Sequence, residues 1–125
     1  MITGLGIDIV EIDRIHHVVE KWTEKFLQRV FTDKEIDYCR SRVNAAQHFA
    51  ARFAAKEAFA KATAMGWTDK FRWKDVEVEN EFTGQPRLVL HGAMAEEFAA
   101  CDFHLSLSHT HLSAAAVVVM EQRGG

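Results

Sequence analysis

The chain has 125 residues, of which 48% are hydrophobic and 26% are charged, and its net charge is −3. This composition predicts one globular domain over residues 1–125 and excludes intrinsic disorder. The acidic balance argues against a general nucleic-acid-binding protein, and no apolar run approaches the ~18 residues of a membrane span. The N-terminal stretch carries acids where a signal peptide carries bases, and the two cysteines show no metal spacing. We therefore expect a cytoplasmic protein with reduced thiols.

The first half of the chain predicts one strand followed by three helices. Residues 2–9 are mostly apolar and predict a buried strand. Residues 12–31 and 45–65 predict amphipathic helices, the second ending at Gly66. The capping-box sequence TDKE opens a short helix over residues 32–39. The apolar face of the first helix is expected to consist of Ile12, Ile15, Val19, Trp22 and Phe26.

The second half changes to a period of two, which is typical of strands. A β-hairpin is predicted between residues 76 and 90, with its turn at 82–86. A short helix over 93–100 follows, and then two strands, over 103–108 and over 113–120, the last one buried. Since helices cluster early and hairpin strands late, we predict an α+β fold in which long helices pack on a mostly antiparallel sheet.

The first candidate site is the end of the first strand. Gly4 and Gly6 would let this strand approach another backbone or a ligand closely. Asp8 lies in an apolar run, where a carboxylate is costly to bury unless it is paired or binds a metal. The alternative is that Asp8 caps the helix that follows.

The second candidate site lies on the predicted helix 45–65. Phe53, Glu57 and Lys61 are spaced four residues apart and share one helix face. The carboxylate could bind a cation and the ammonium group could bind phosphate oxygens. The alternative is an exposed salt bridge between Glu57 and Lys61, which is worth little.

The third candidate site is the predicted strand near the C-terminus. His104, Ser106 and Ser108 share one strand face, and with Thr110 they could form a rim that binds phosphate or ribose. The alternative is a solvated strand face. The H-x-H sequence over 109–111 is a weak zinc signal, because no further ligand has matching spacing. The sequence contains no Walker A loop and no G-x-S-x-G motif, so covalent catalysis has no support.

Together, five stretches resemble the holo-[acyl-carrier-protein] synthase family, the small bacterial members of the 4′-phosphopantetheinyl transferase superfamily. The most diagnostic stretch is RFAAKEAFAKA over residues 52–62. The others are GLGIDIVEIDRI over 4–15, RVFTDKE over 29–35, TGQP over 83–86 and HLSLSH over 104–109. The resemblance covers nearly the whole chain.

The resemblance implies transfer of the 4′-phosphopantetheine arm of coenzyme A to a serine of acyl carrier protein, with release of adenosine 3′,5′-bisphosphate. It implies Mg²⁺ held by Asp8 and Glu57, catalysis by these two acids with Lys61, and a role in fatty acid biosynthesis. It also implies a homotrimer with active sites between subunits. Contacts to coenzyme A are implied for Arg52, Lys61, His104 and Thr110, and for Gln85 and Pro86 at a turn that reaches a neighbour's coenzyme.

One position departs from the family pattern. Where the family often has a glycine-rich sequence after the lysine, this chain has Ala64 in place of the first glycine. This change disfavours a backbone cradle for phosphate and favours a further turn of helix.

Basic residues form a stripe on the first predicted helix, next to its apolar face. At 100° per residue, Arg14, Lys21, Lys25 and Arg29 lie on one side, which suggests a docking surface for the acidic carrier protein. The alternative is a solvated face, because two glutamates are nearby.

Two other functions stay open. A non-catalytic coenzyme A or nucleotide-binding module could keep the phosphate rim and lose the metal-binding acids, but both acids are present. A Mg²⁺-dependent pyrophosphohydrolase would usually show several clustered acids on one helix, which this sequence lacks.

Overall fold

The structure is a computed structural model that describes residues 1–124; within them, the side chains of Trp22 and Thr23 lie outside the described part. The predicted apolar role of Trp22 is therefore not covered. The helices are α1 (Ile12–Val30), α2 (Asp33–Arg40), α3 (Ala45–Thr63) and α4 (Gly92–Glu97), with 3₁₀ turns at Met65–Trp67 and Trp73–Asp75. The strands are β1 (Ile2–Glu11), β2 (Val76–Asn80), β3 (Pro86–Leu90), β4 (Cys101–His109) and β5 (Ser113–Gln122).

The strands form two antiparallel sheets, as the α+β prediction requires. The larger sheet has the order β1-β5-β4. Val117 of the central strand β5 pairs with Ile7 of β1 and with Ser106 of β4. The smaller sheet is the predicted hairpin of β2 and β3. Helix α4 ends at Glu97, three residues before the predicted end, and β5 extends two residues further than predicted. No helix among the described residues is long and apolar enough to cross a membrane.

Helix α2 begins at the predicted capping box. The Thr32 hydroxyl accepts a hydrogen bond from the Glu35 backbone N–H at 3.2 Å, and the Thr32 N–H donates to Glu35 Oε1 at 2.9 Å. The two residues thus satisfy backbone groups that the first helical turn would otherwise leave unpaired.

Helix α3 is a central helix, and the prediction that it is amphipathic is wrong. It contacts β1 and β5 on one side and α1, α2 and β2 on others. Its alanines are therefore buried in several directions, and Ala50, Ala54, Ala55 and Ala58 are all fully buried. Small side chains allow the surrounding elements to approach the helix axis closely.

Helix α3 also ends earlier than predicted. Its last residue is Thr63, and Ala64 has a left-handed backbone conformation with φ of 58°. The expectation that Ala64 prolongs the helix is wrong, because this residue occupies the position where helices commonly end on a left-handed glycine.

Strand β1 is not fully buried, which corrects the sequence prediction. It is an edge strand, and Gly6 and Val10 face α3. Leu5, Ile7 and Ile9 point to the opposite face, where they are 67%, 62% and 70% exposed. The prediction failed because no described element of the same chain covers this face of the sheet. Strand β5 likewise buries one face only.

Candidate active site

Asp8 and Lys61 meet where β1 crosses α3. The Lys61 ammonium donates to Asp8 Oδ1 at 3.2 Å and to the carbonyl oxygen of Ile7 at 3.0 Å. The Asp8 side chain is only 17% exposed, so the lysine compensates a carboxylate that is largely removed from water. The capping alternative for Asp8 is wrong, because the N-cap of α1 is Glu11 and no side chain caps it.

Glu57 lies beside this pair. Burial raises the pKa of Glu57, the negative charge of Asp8 raises it further, and the positive charge of Lys61 opposes both effects. The alternative of a Glu57–Lys61 salt bridge is wrong for the described residues, because the ammonium group turns to Asp8 instead. Two carboxylates and one ammonium group thus share a small, partly desolvated region.

Two cavities open on either side of Glu57. One, of about 550 Å³, is lined by Asp8, Glu57, Phe53 and Arg14 among others. The other is a groove of about 620 Å³ between Glu57, Lys61 and three aromatic residues. These aromatic residues are Trp67, Phe71 and Trp73.

The residue types of this region suit a magnesium ion. Mg²⁺ is commonly bound by one or two carboxylates, with substrate phosphates and waters as the remaining ligands. Asp8 and Glu57 supply such a pair, and a cation between them would relieve their mutual repulsion. Among the described residues, no group of three or more histidine, cysteine, aspartate or glutamate side chains could hold a metal, so the H-x-H sequence has no further ligand.

Arg52 lies in a different place, beside α2 and the β2–β3 hairpin. Its guanidinium group donates to Asn80 Oδ1 at 2.6 Å and stacks over the Tyr38 ring at 4.1 Å. It lines a cavity of about 280 Å³ together with Gln85 and Pro86 of the β-hairpin. Arg52 is 3% exposed, yet its Nε has no hydrogen-bond partner among the described residues. Because the positively charged guanidinium group of Arg52 lines this cavity, the cavity is suited to an anionic ligand.

The third predicted site is only partly assembled in one chain. Strand β4 alternates as predicted, and Ser106 and Ser108 line the Arg52 cavity. His104 lies on the open face of the sheet, where its Nε2 contacts Glu121 Oε1 at 2.9 Å. The Thr110 hydroxyl accepts from the backbone N–H groups of the β4–β5 turn. The structure therefore groups Arg52 with Gln85 and Pro86, but it does not bring His104 or Thr110 to them.

The basic stripe of α1 divides into two parts. Arg14 lines the same cavity as the two acids, whereas Lys25 and Arg29 border a groove of about 430 Å³ with Val18 and Phe26. The two glutamates of the helix are engaged elsewhere: Glu20 lies 3.1 Å from His16, and Glu24 pairs with Arg40 of α2. Lys21 is exposed on the same helix.

The family model described as the 4′-phosphopantetheinyl transferase superfamily matches residues 4–118. The chain belongs to the 4′-phosphopantetheinyl transferase superfamily. The resemblance found from the sequence motifs is thereby confirmed, and the chain is a transferase of this kind.

Individual relatives agree with this assignment. A holo-[acyl-carrier-protein] synthase of Solibacter usitatus is 43% identical over 124 residues, covering 97% of this chain and 99% of that protein. The crystal structure of a synthase of that name from Neisseria meningitidis superposes with a TM-score of 0.88 at 31% identity, over 98% of this chain and all of that one. One from Bacillus anthracis, solved in complex with CoA (3′,5′-ADP), gives 0.83 at 34% identity, over 98% and 99% of the two chains.

Several residues of this transferase escaped the sequence analysis. Around Arg52, the structure gathers Tyr38, Arg42 and His48 from the region of α2 and α3. The Arg42 Cζ atom lies 4.4 Å from the centroid of the Tyr38 ring, which is the same ring that Arg52 contacts. Burial lowers the pKa of His48, and the charges of Arg52 and Arg42 lower it further. No local motif marks these residues, because only the packing of α2 against α3 brings them together.

Proposed function

We propose that this transferase moves the 4′-phosphopantetheine arm of coenzyme A onto a serine of an apo acyl carrier protein and releases adenosine 3′,5′-bisphosphate. The names of its relatives and the coenzyme-bound structure of one of them support this substrate pair. The observation that carries the proposal is the cluster of Asp8, Glu57 and Lys61, which provides two carboxylates and one ammonium group in the lining of two cavities.

The reaction forms a bond between the carrier serine oxygen and the β-phosphorus of coenzyme A, and it breaks the bond from this phosphorus to the adenylate oxygen. The serine hydroxyl proton is released to water, and adenosine 3′,5′-bisphosphate is the leaving group. Such a transfer depends mainly on positioning and charge neutralisation. Asp8 and Glu57 would hold Mg²⁺, which supplies positive charge beside the pyrophosphate oxygens. Lys61, fixed by Asp8 and the Ile7 carbonyl, would place a further positive charge where negative charge develops.

The Arg52 cavity would hold the nucleotide end of coenzyme A. The Arg52 guanidinium group would supply positive charge for phosphate oxygens, and Gln85 and Pro86 line the same cavity. The cavity shares no lining residue with the one that contains Asp8 and Glu57. We propose that the two half-sites that hold one coenzyme come from adjacent subunits of a homotrimer.

The open face of the larger sheet provides the surface for this assembly. Leu5, Ile7 and Ile9 form a row of exposed large apolar side chains on β1. Large exposed apolar patches of this kind mark interaction sites, because burying them stabilises the assembly. We propose that copies of this face meet in the trimer, with His104 and Glu121 at their border.

The carrier protein would dock on α1. Lys25 and Arg29 flank the apolar groove formed by Val18 and Phe26, and this groove adjoins the cavity of Asp8 and Glu57. An acidic partner would thus be guided to the reacting atoms by complementary charge. We further propose that the protein acts in the cytoplasm in fatty acid biosynthesis.

A mass-spectrometric assay tests the proposed reaction. The protein is incubated with coenzyme A, Mg²⁺ and an apo carrier protein, and the carrier should gain the mass of one phosphopantetheinyl group. Asp8→Asn and Glu57→Gln keep the side-chain size and remove the charge, so each should abolish most of the transfer without unfolding the protein. Full transfer by either variant at low Mg²⁺ would refute the assignment of the acids. Binding of coenzyme A with no transfer to any carrier would favour the alternative of a non-catalytic binding module.

A further inference from the structure

Lys56 is the most completely buried cation of the described residues, and the proposed mechanism does not use it. Its side chain is 0% exposed, as is that of its partner Glu35. The ammonium group donates to Glu35 Oε1 at 2.9 Å, to the Trp73 carbonyl oxygen at 3.0 Å and to the Val76 carbonyl oxygen at 2.5 Å. A lysine has three donors, so every one of them is used.

The partner carboxylate is equally well satisfied. Glu35 Oε1 also accepts from the Thr32 backbone N–H, and Oε2 accepts from the backbone N–H of Val78 at 2.9 Å. The ion pair therefore joins α2, α3, β2 and the 3₁₀ turn at Trp73–Asp75. Breaking such a pair on one side only is strongly destabilising, because the remaining charge stays buried.

The bond to the Trp73 carbonyl connects this network to the candidate active site. The indole ring of Trp73 is stacked on Phe53, with ring centroids 5.3 Å apart and an interplanar angle of 18°. Phe53 lines the cavity that contains Asp8 and Glu57, and Trp73 lines the groove on the other side of Glu57. The stacked rings of Phe53 and Trp73 therefore form a wall beside Glu57. Lys56 holds the backbone of Trp73 through the hydrogen bond to its carbonyl oxygen.

We infer that Lys56 is a positioning residue of the transfer reaction: it holds Trp73 against Phe53 and so keeps the aromatic wall in place next to Glu57. This inference rests on the proposed function. Lys56 touches neither cavity in which substrates are proposed to bind, and it acts only through Trp73. Because a displacement of about 1 Å at a reacting centre can cost up to ~100-fold in rate, a loose wall should lower kcat. The nucleotide end lies in the separate Arg52 cavity, so KM for coenzyme A should hardly change.

Two variants separate positioning from a purely structural role. Lys56→Met keeps the unbranched stem and removes all three donors. Glu35→Gln breaks the same ion pair but leaves the bonds from Lys56 to the Trp73 and Val76 carbonyls. Both should lower Tm. When assayed well below both Tm values, only Lys56→Met should lower kcat, by about 10- to 100-fold, with KM for coenzyme A nearly unchanged.

A second measurement does not depend on activity. Nuclear Overhauser contacts between the Phe53 and Trp73 rings should be present in the unaltered protein and in Glu35→Gln, and lost in Lys56→Met. If the unaltered protein transfers no phosphopantetheine, the proposed function fails, and these ring contacts still decide whether Lys56 fixes the wall.

A third variant covers the case in which Lys56→Met does not fold. Trp73→Leu removes the ring and leaves the ion pair intact, so it should reproduce the loss of kcat. The double variant combines Lys56→Met with Trp73→Leu. Where it folds, its kcat should be no lower than that of the slower single variant, because both changes remove the same contact between Trp73 and Phe53. The inference is overturned if Trp73→Leu keeps full kcat, if Lys56→Met keeps both kcat and the ring contacts, or if Glu35→Gln loses kcat to the same extent.

Discussion

Gly6 of β1 faces the carbonyl oxygen of Ala58 in α3 so closely that a β-carbon added to Gly6 would lie 1.9 Å from this oxygen. Gly4 repeats the relationship one helical turn along, where an added β-carbon would lie 2.2 Å from the Ala62 carbonyl oxygen. A β-carbon essentially never lies within 3.0 Å of a non-bonded atom, so the close crossing of β1 and α3 requires glycine at both positions. The same crossing places Asp8 next to Lys61.

Gly6→Ala should therefore disturb both stability and the site. The added methyl group must push β1 away from α3, which should cost about 1–3 kcal/mol or more of the free energy of unfolding. It should also lower the transfer rate even where the protein stays folded, because Asp8 moves with the strand. Urea unfolding and steady-state kinetics measure the two effects. Gly66→Ala is the control, since its methyl group would meet only the side chain of Ala60, at 3.1 Å.

Ala64→Gly should make the protein more stable. Ala64 has φ of 58°, a left-handed conformation that costs an L-residue about 1–2 kcal/mol. Glycine adopts this conformation freely but loses more entropy on folding, so we expect a net gain of about 0.5–1 kcal/mol. The urea midpoint should rise with an unchanged m-value. Ala60→Gly, inside α3, should have the opposite sign, and an equal loss at both positions would contradict the strain argument.

The stability of the protein should depend on Glu77 at acidic pH. Burial raises the pKa of this carboxyl, but hydrogen bonds from Thr32 and His91 and the charges of His91 and Lys34 outweigh burial, and the net pKa is lowered from 4.5. The ionised form is thus favoured in the folded state. Its stabilisation is complete above pH ~4.5 and is lost as the pH falls through the lowered folded-state pKa.

Glu77→Gln tests this dependence. At pH 7 the variant should be less stable by about 1 kcal/mol or more, because the charge-assisted hydrogen bonds are weakened. The difference from the unaltered protein should shrink as the pH is lowered below about 4.5. Free energies of unfolding at several pH values measure it, with the exposed Glu96→Gln as the control. A difference that stays constant from pH 7 to pH 3 would contradict the role of the Glu77 charge.

The proposed trimer depends on the open face of β1. Ile7→Glu places a charge in the middle of the exposed apolar row, so light scattering should show a monomer where the unaltered protein is a trimer. Val43→Glu makes the same change at a fully exposed loop residue outside the sheet and should leave the trimer intact. The Ile7→Glu variant should also lose transfer activity, because the half-sites of adjacent subunits separate when the trimer dissociates. A monomeric unaltered protein with full activity would refute the assembly.

Carrier docking should depend on Lys25. Lys25→Glu should raise KM for the carrier protein several-fold and leave KM for coenzyme A nearly unchanged, since Lys25 borders only the groove on α1. Exposed charges act over a Debye length of ~10 Å at 0.1 M salt, so KM for the carrier should rise with ionic strength, and less so in the variant. Arg123→Glu carries the same change in net charge at the residue after β5 and is the control. An equal rise in KM for the carrier protein and in KM for coenzyme A would assign Lys25 to the catalytic site. Arg14 is unsuited to this test, because it lines the cavity of the two acids.

The sequence by itself determined the local elements and the chemistry of the acids. The capping box of Thr32 and Glu35, the hairpin at β2 and β3 and the alternation of β4 depend on neighbouring residues, and all three were predicted correctly. Asp8 was singled out as a carboxylate in an apolar run, and Glu57 and Lys61 by their spacing of four residues on a helix. Their order also matches a family motif.

Only the tertiary structure decided which partners these residues meet. A helical period of four pointed to a Glu57–Lys61 pair, but the packing of β1 on α3 gives Lys61 to Asp8 instead. Whether an apolar strand is buried depends on what covers each face, so residues 2–9 gave no sign that Ile7 would be exposed. Likewise, Lys56 resembled any other lysine of an amphipathic helix until the surrounding elements removed it from water. Local sequence specifies the backbone conformation of each element, whereas burial and charge pairing follow from contacts between residues far apart in the chain.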